Sequence, residues 1–255
     1  MTNWALITGP TSGIGAAFAT LLAKENYQLV LVGRNEDKLT KQANELKRLY
    51  GVAARSITCD LSEPQAADVV YQQTKKMNIQ INTLINNAGF NEYGSFLTTD
   101  GAKELEMIQL HTIFPTEMMK LFLPDMMQNE DGKILNVGST GSIIPCPYDA
   151  VYAATKAYLL SVSKAIGSEL KDSGVTITTL CPGSTETAFA KKAGMEETLL
   201  FKLFVMKPEI VASIGYQAMI KGKTTVVSGL YNKMLVLSSC LLPDRLINYL
   251  IKKML

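Results

Sequence analysis

Histidine is nearly absent: His111 is the only one in 255 residues, which excludes any site built from two or more histidines. Cysteine is scarce too, at positions 59, 146, 181 and 240, with no C-x-x-C pair. That spacing argues against a disulfide scaffold and against a cysteine zinc site. No metal site is implied. No apolar run reaches the roughly 18 residues of a spanning helix, and no basic segment followed by an apolar core opens the chain. Charge of one sign is also missing. Lys and Arg number 25 against 23 Asp and Glu, a balance of +2 with no long run of either. Nucleic acid and an anionic membrane surface are therefore not expected as main partners. The expected setting is the reducing cytoplasm.

Apolar residues make up 47% of the chain and charged residues 19%, enough for a sizeable core. Short β-branched or apolar runs alternate with longer helical patterns. Strands are expected at Trp4–Thr8, Gln28–Gly33, Ala53–Cys59, Thr83–Asn86, Lys133–Val137, Val175–Cys181 and Thr225–Val227. Helices are expected near 14–25, 36–50, 63–77, 100–128, 151–172 and 208–221. Continuous apolar strands such as Leu29-Val30-Leu31-Val32 indicate burial on both faces, as in a parallel sheet with helical crossovers. No repeat or linker divides the chain. The expectation is an α/β fold: a single Rossmann-type, doubly wound domain over 1–255 with a mainly parallel sheet of about seven strands. Residues 183–206 break the rhythm and read as a substrate loop with short helices. Residues 232–255 form an apolar C-terminal tail, fit to dock on a second subunit, cover the substrate pocket or lie at a membrane surface, with the first two favoured.

Three motifs carry chemistry. Thr8-Gly9-Pro10-Thr11-Ser12-Gly13-Ile14-Gly15 joins the first strand to the first helix. Glycines there allow a tight turn and close approach of the backbone to a pyrophosphate, and the helix N-terminus offers free N–H groups. Taken alone, the same run is an ordinary strand-to-helix loop, and Pro10 has no N–H to give. The second strand then ends Val32-Gly33-Arg34, with no carboxylate at its tip. An acidic residue there would bind a ribose 2′-hydroxyl, whereas an Arg accommodates a 2′-phosphate, so NADP(H) is expected over NAD(H). Finally, Tyr152 and Lys156 lie four residues apart on one helix face, where the ammonium would lower the phenol's pKa. Ser139 ends the fifth strand at the crevice edge.

Together these pieces resemble the short-chain dehydrogenase/reductase family from the first residues to about 230. Thr8 to Gly15, Cys59-Asp60-Leu61, Asn86-Asn87-Ala88-Gly89, Ser139, Tyr152/Lys156 and Pro182-Gly183 with Thr187 fall in the family's order. Asn87-Ala88-Gly89-Phe90 and Leu121–Met126 are similar to its NADP-dependent carbonyl reductases. The resemblance implies that Tyr152 is the general acid/base, that Ser139 orients the carbonyl and that Lys156 binds the nicotinamide ribose. It also implies a cofactor site of Gly9, Thr11, Ser12, Gly13, Ile14, Gly15, Arg34, Asp60, Leu61, Asn87, Ala88, Gly89, Tyr152, Lys156, Pro182, Gly183, Thr185 and Thr187. One position departs. Where the family places a catalytic Asn that holds a relay water, this chain has Gln109-Leu110-His111. His111 is therefore a candidate catalytic residue, with a packed structural histidine as the alternative.

The implied reaction moves a hydride between NADP(H) and a carbonyl or alcohol. Phe96, Ile143, Ile144, Phe189, Leu199, Leu200 and Phe204 favour a lipophilic substrate. A homodimer or homotetramer is expected. The competing reading is an NADP-binding regulatory protein whose catalysis His111 has impaired.

Overall fold

The computed structural model describes residues 3–196, 198–202 and 204–254; the side chains of Lys192, Leu200, Cys240, Asp244, Leu250 and Met254 lie outside the described residues. Seven strands are present: β1 (Trp4–Thr8), β2 (Gln28–Gly33), β3 (Ala54–Thr58), β4 (Thr83–Asn86), β5 (Gly132–Val137), β6 (Val175–Cys181) and β7 (Thr225–Val227). They form one sheet in the order β3-β2-β1-β4-β5-β6-β7, and every pairing is parallel. The order reverses beside β1, so the crevice opens above the carboxyl ends of β1 and β4.

Alternation along each strand divides the core between two faces. Ala5, Ile7, Leu29 and Leu31 point to one layer, packed with Phe18, Ala19 and Leu22 of α1 (Gly13–Lys24) and with Val211 and Met219 of α9 (Pro208–Ile220). Leu6, Val30, Val32 and Leu84 point to the other, against Val70 of α3 (Ala66–Lys76) and Met118 and Phe122 of α5 (Phe114–Gln128). α2 (Glu36–Tyr50) shows why such helices form where they do. Asn35 accepts a hydrogen bond from the Lys38 N–H, acids open the helix, bases close it, and Gly51 at φ 71° ends it.

The stretch expected as one helix over 100–128 is divided. α4 (Gly101–Ile108) runs into a wide π turn over Gln109–Ile113 before α5 begins. Pro115 supplies the reason: it has no N–H to give the His111 carbonyl and its ring crowds that oxygen, so the helix widens there. α6 (Ala150–Glu169) carries the Tyr/Lys pair. Short helices α7 (Ala188–Lys192) and α8 (Leu199–Lys202) lie in the 183–206 segment, as expected. The tail, read only as apolar, is helical: α10 (Leu230–Leu241) and α11 (Asp244–Met254).

Candidate active site

The glycine loop is braced by a network of hydrogen bonds from Thr8 and Asn87. The Thr8 hydroxyl accepts from the Asn87 and Ala88 N–H groups at 2.9 and 3.0 Å and donates to the Ile85 carbonyl. The Asn87 amide donates to the Thr8 and Gly9 carbonyls at 2.9 and 3.2 Å. Asn87 and Ala88, expected at the cofactor, thus brace the loop from behind. Gly9 and Gly13 take φ of 64° and 54°, where a side chain is strained. A Cβ on Gly15 would lie 2.2 Å from the Gly9 carbonyl oxygen. Ser12 is the N-cap of α1 but makes no side-chain cap bond. The first N–H groups of α1 therefore face the mouth beside Thr11 and Ile14, an arrangement that fits a pyrophosphate.

At the tip of β2, Arg34 is two-thirds exposed and lies 3.6 Å from Asp60 and 3.8 Å from Glu106. Such long, solvated ion pairs contribute little and exchange readily for a phosphate. Burial works to raise the Asp60 pKa, but bonds from Ser62 and the nearby Arg34 outweigh it and hold the carboxyl below its usual value. Leu61 is buried in the core layer with Val30 and Val32.

Ser139 leaves β5 as the cap of a short 3-10 turn and accepts from the Gly141 N–H, while its own N–H donates to Ser142. Its hydroxyl lies close enough to the Tyr152 phenol to favour the ionised form. Lys156 Nζ donates to the Val137 carbonyl at 2.9 Å and lies 5.7 Å from the Tyr152 ring centre. The expectation that the ammonium lowers the phenol's pKa is corrected here. Burial raises it, the Asp149 charge raises it further, and the nearby Ser139 hydroxyl only partly offsets them. Burial likewise pushes Lys156 down to about 8.

His111 is almost wholly buried. Its Nε2 accepts from the Phe90 N–H at 3.3 Å and its Nδ1 lies 3.1 Å from the Thr155 hydroxyl, which donates to the Tyr152 carbonyl at 2.7 Å. That chain of donors puts the ring proton on Nδ1. Burial, then the Lys156 charge, holds His111 well below its ordinary value, so it is neutral. Gly89 lacks a side chain because a Cβ would meet Nε2 at 2.6 Å. A cavity of about 10 Å³, the size of one water, separates His111 from Lys156.

The remaining expected residues close the site from above. Thr140 N–H donates to the Pro182 carbonyl at 2.8 Å, tying the Ser139 turn to the end of β6. Gly183 is needed because a Cβ there would strike Asn232 of α10. Thr185 bridges to Met206, pinching the two ends of the 183–206 segment together. Thr187 caps α7 and packs on Gly13, so the loop roots on the glycine turn. Within the loop, the Phe189 ring stands 5.8 Å from that of Tyr152.

Sequence reasoning missed Asp149, Asn91 and Thr155. The Asp149 carboxylate is buried, accepts from the Asn91 amide at 2.7 Å and is pushed up to about 6 by burial despite that bond. Its position three before Tyr152, on the same helix face, was the available signal. Burial raises the Cys146 thiol to about 12, so it stays protonated at neutral pH.

The short chain dehydrogenase family matches residues 3–198. This chain belongs to that family. It is similar to the very-long-chain 3-oxoacyl-CoA reductase of Mus musculus, 32% identical over 194 residues that cover 74% of this chain and 61% of the relative. The enzyme of the same name from Homo sapiens is 32% identical over 193 residues, with the same coverage. The chain thus spans about three-fifths of the length of these relatives. Among solved structures, a short-chain dehydrogenase from Sphingobium yanoikuyae in complex with NADPH matches with a TM-score of 0.84 and 28% identity, covering 93% of each chain.

Proposed function

We propose that this chain is a single-domain, NADPH-dependent reductase of a lipophilic carbonyl compound, with Tyr152 as the proton donor. The observation that carries the reading is the Tyr152 ring 5.7 Å from Lys156 Nζ, which is itself held on the Val137 carbonyl, together with a glycine turn that fits a dinucleotide. A nicotinamide bound there would supply the hydride. Tyr152 gives its phenolic proton to the carbonyl oxygen, and its raised pKa keeps that proton in place at neutral pH, which suits reduction. Ser139 shares a hydrogen bond with the same oxygen and fixes its position. Lys156, anchored on the Val137 carbonyl, keeps two further N–H groups for ribose hydroxyls. Arg34 takes the 2′-phosphate that distinguishes NADPH, and Gly33 leaves no carboxylate to repel it.

The substrate loop 183–206 and the helical tail form the walls of the pocket, and Phe189, Ile143 and Ile144 make it apolar. The relatives' names make a 3-oxoacyl thioester the first substrate to try. We place the reaction in a reducing cytoplasm, since Cys59, Cys146 and Cys181 are free. Assembly into a homodimer or homotetramer is proposed through the open groove of about 390 Å³ between the π turn and α6, lined by Ile108, Ala150, Val151 and Ala154.

The test is NADPH oxidation against ketones and 3-oxoacyl thioesters of increasing chain length. Turnover whose KM falls as the chain lengthens is expected. NADPH binding with no turnover of any carbonyl would instead favour the regulatory reading.

A further inference from the structure

α10 is apolar on two opposite faces. Asn232, Leu235 and Val236 face inward: Asn232 packs on Gly183, and Leu235 and Val236 join Ile143, Ile144, Ile247 and Ile251 in a small cluster beside the site. On the far side, Leu230, Met234, Leu237 and Leu241 recur at steps of four, three and four, and are 74%, 60%, 62% and 75% exposed. The stripe runs about 16 Å along the helix. A helix apolar on both sides is normally covered on both.

Its surroundings say what covers it. α10 contains no acidic residue, and the tail from 230 onward has four basic residues, Lys233, Arg245, Lys252 and Lys253, against Asp244 alone. All four bases are exposed. α11 buries Ile247 and Ile251 and turns Arg245, Tyr249 and Lys253 outward. A second copy would bring Lys233 no carboxylate from α10, whereas an anionic bilayer matches both the apolar stripe and the bases. No helix among the described residues is long and apolar enough to cross a membrane, so the contact lies in the surface.

We infer that the outward face of α10, with the basic face of α11, docks this protein on the surface of an anionic lipid bilayer. The helix that wets the bilayer also walls the pocket, so an apolar substrate passes between the two without crossing water. The docking does not depend on the cofactor chemistry.

The experiment is flotation of the full chain with vesicles of phosphatidylcholine alone and with phosphatidylglycerol added, for wild type and Met234→Glu/Leu237→Glu. Both substituted side chains are exposed, so the melting temperature should hold. Wild type is expected to float with the anionic vesicles and to be released by high salt, and the double variant to partition roughly tenfold more weakly or worse. Failure to bind anionic vesicles, or equal binding by the double variant, would overturn the inference. A wild-type dimer that the variant splits would assign the stripe to a second copy and overturn it as well.

Discussion

His111 has both ring nitrogens engaged, one by the Phe90 N–H and one at the Thr155 hydroxyl, and the second bond leads straight to the backbone of Tyr152. It ties the first turn of α6 to the backbone at Phe90. Its pKa is lowered in the folded state, so below about 6.5 the unfolded chain takes up a proton that the folded chain refuses. Stability from this group is complete above that value and falls as pH drops below it. The urea midpoint of His111→Asn should therefore decline less between pH 7 and 5 than that of wild type; parallel declines would refute a neutral buried imidazole. Asp149 works in the opposite sense. Its raised pKa, about 6, means the folded state carries a costly charge at neutral pH, on the order of 3 kcal/mol for a shift of about two units. Asp149→Asn should stabilise the protein at pH 7 by up to that amount, with the gain vanishing below pH 4. It should also lower the alkaline pKa seen in kcat, since the Asp149 charge raises the phenol. The motif residues were legible because their types and order are specific, whereas Asp149 and Asn91 meet only when the β4–α4 loop folds over α6.

Most elements were read to within one to three residues, and β1, β2, β4, β6, β7 and α2 match their expected spans. The break between α4 and α5 escaped because hydrophobic spacing continues through it, although Pro115 marked the place. The tail helices escaped because α10, apolar on both faces, shows no single stripe. The glycine loop offers the clearest test at this scale. Gly15→Ala puts a methyl group 2.2 Å from the Gly9 carbonyl oxygen and 2.5 Å from the Asn87 amide, both held by hydrogen bonds. Backbone does not yield as a side-chain tip would, so titration calorimetry should show NADPH binding lost or severely weakened. Unchanged affinity would mean the cradle does not hold the pyrophosphate. Arg34→Ala should raise the KM for NADPH and leave that for NADH nearly unchanged, because only the 2′-phosphate contact is removed; equal effects would contradict the assignment.

For the molecule as a whole, the net charge of +2 argued against a membrane surface, and that average hides a local asymmetry in the tail. Sequence composition cannot show that α11 packs Ile247 and Ile251 on Ile144, in the turn that follows Ser139. Ending the chain after Leu242 should strip that cover, raising the KM for a long-chain carbonyl while the NADPH dissociation constant holds. Equal KM values would show that α11 takes no part in the pocket. The central claim is that one phenol delivers the proton, and Tyr152→Phe removes that oxygen while keeping the ring. Single-turnover oxidation of bound NADPH by a carbonyl substrate, measured beside the NADPH dissociation constant, should show the rate fall by about 10²–10⁴-fold with binding unchanged; a Tyr152→Phe protein that oxidises NADPH at the wild-type rate would contradict it.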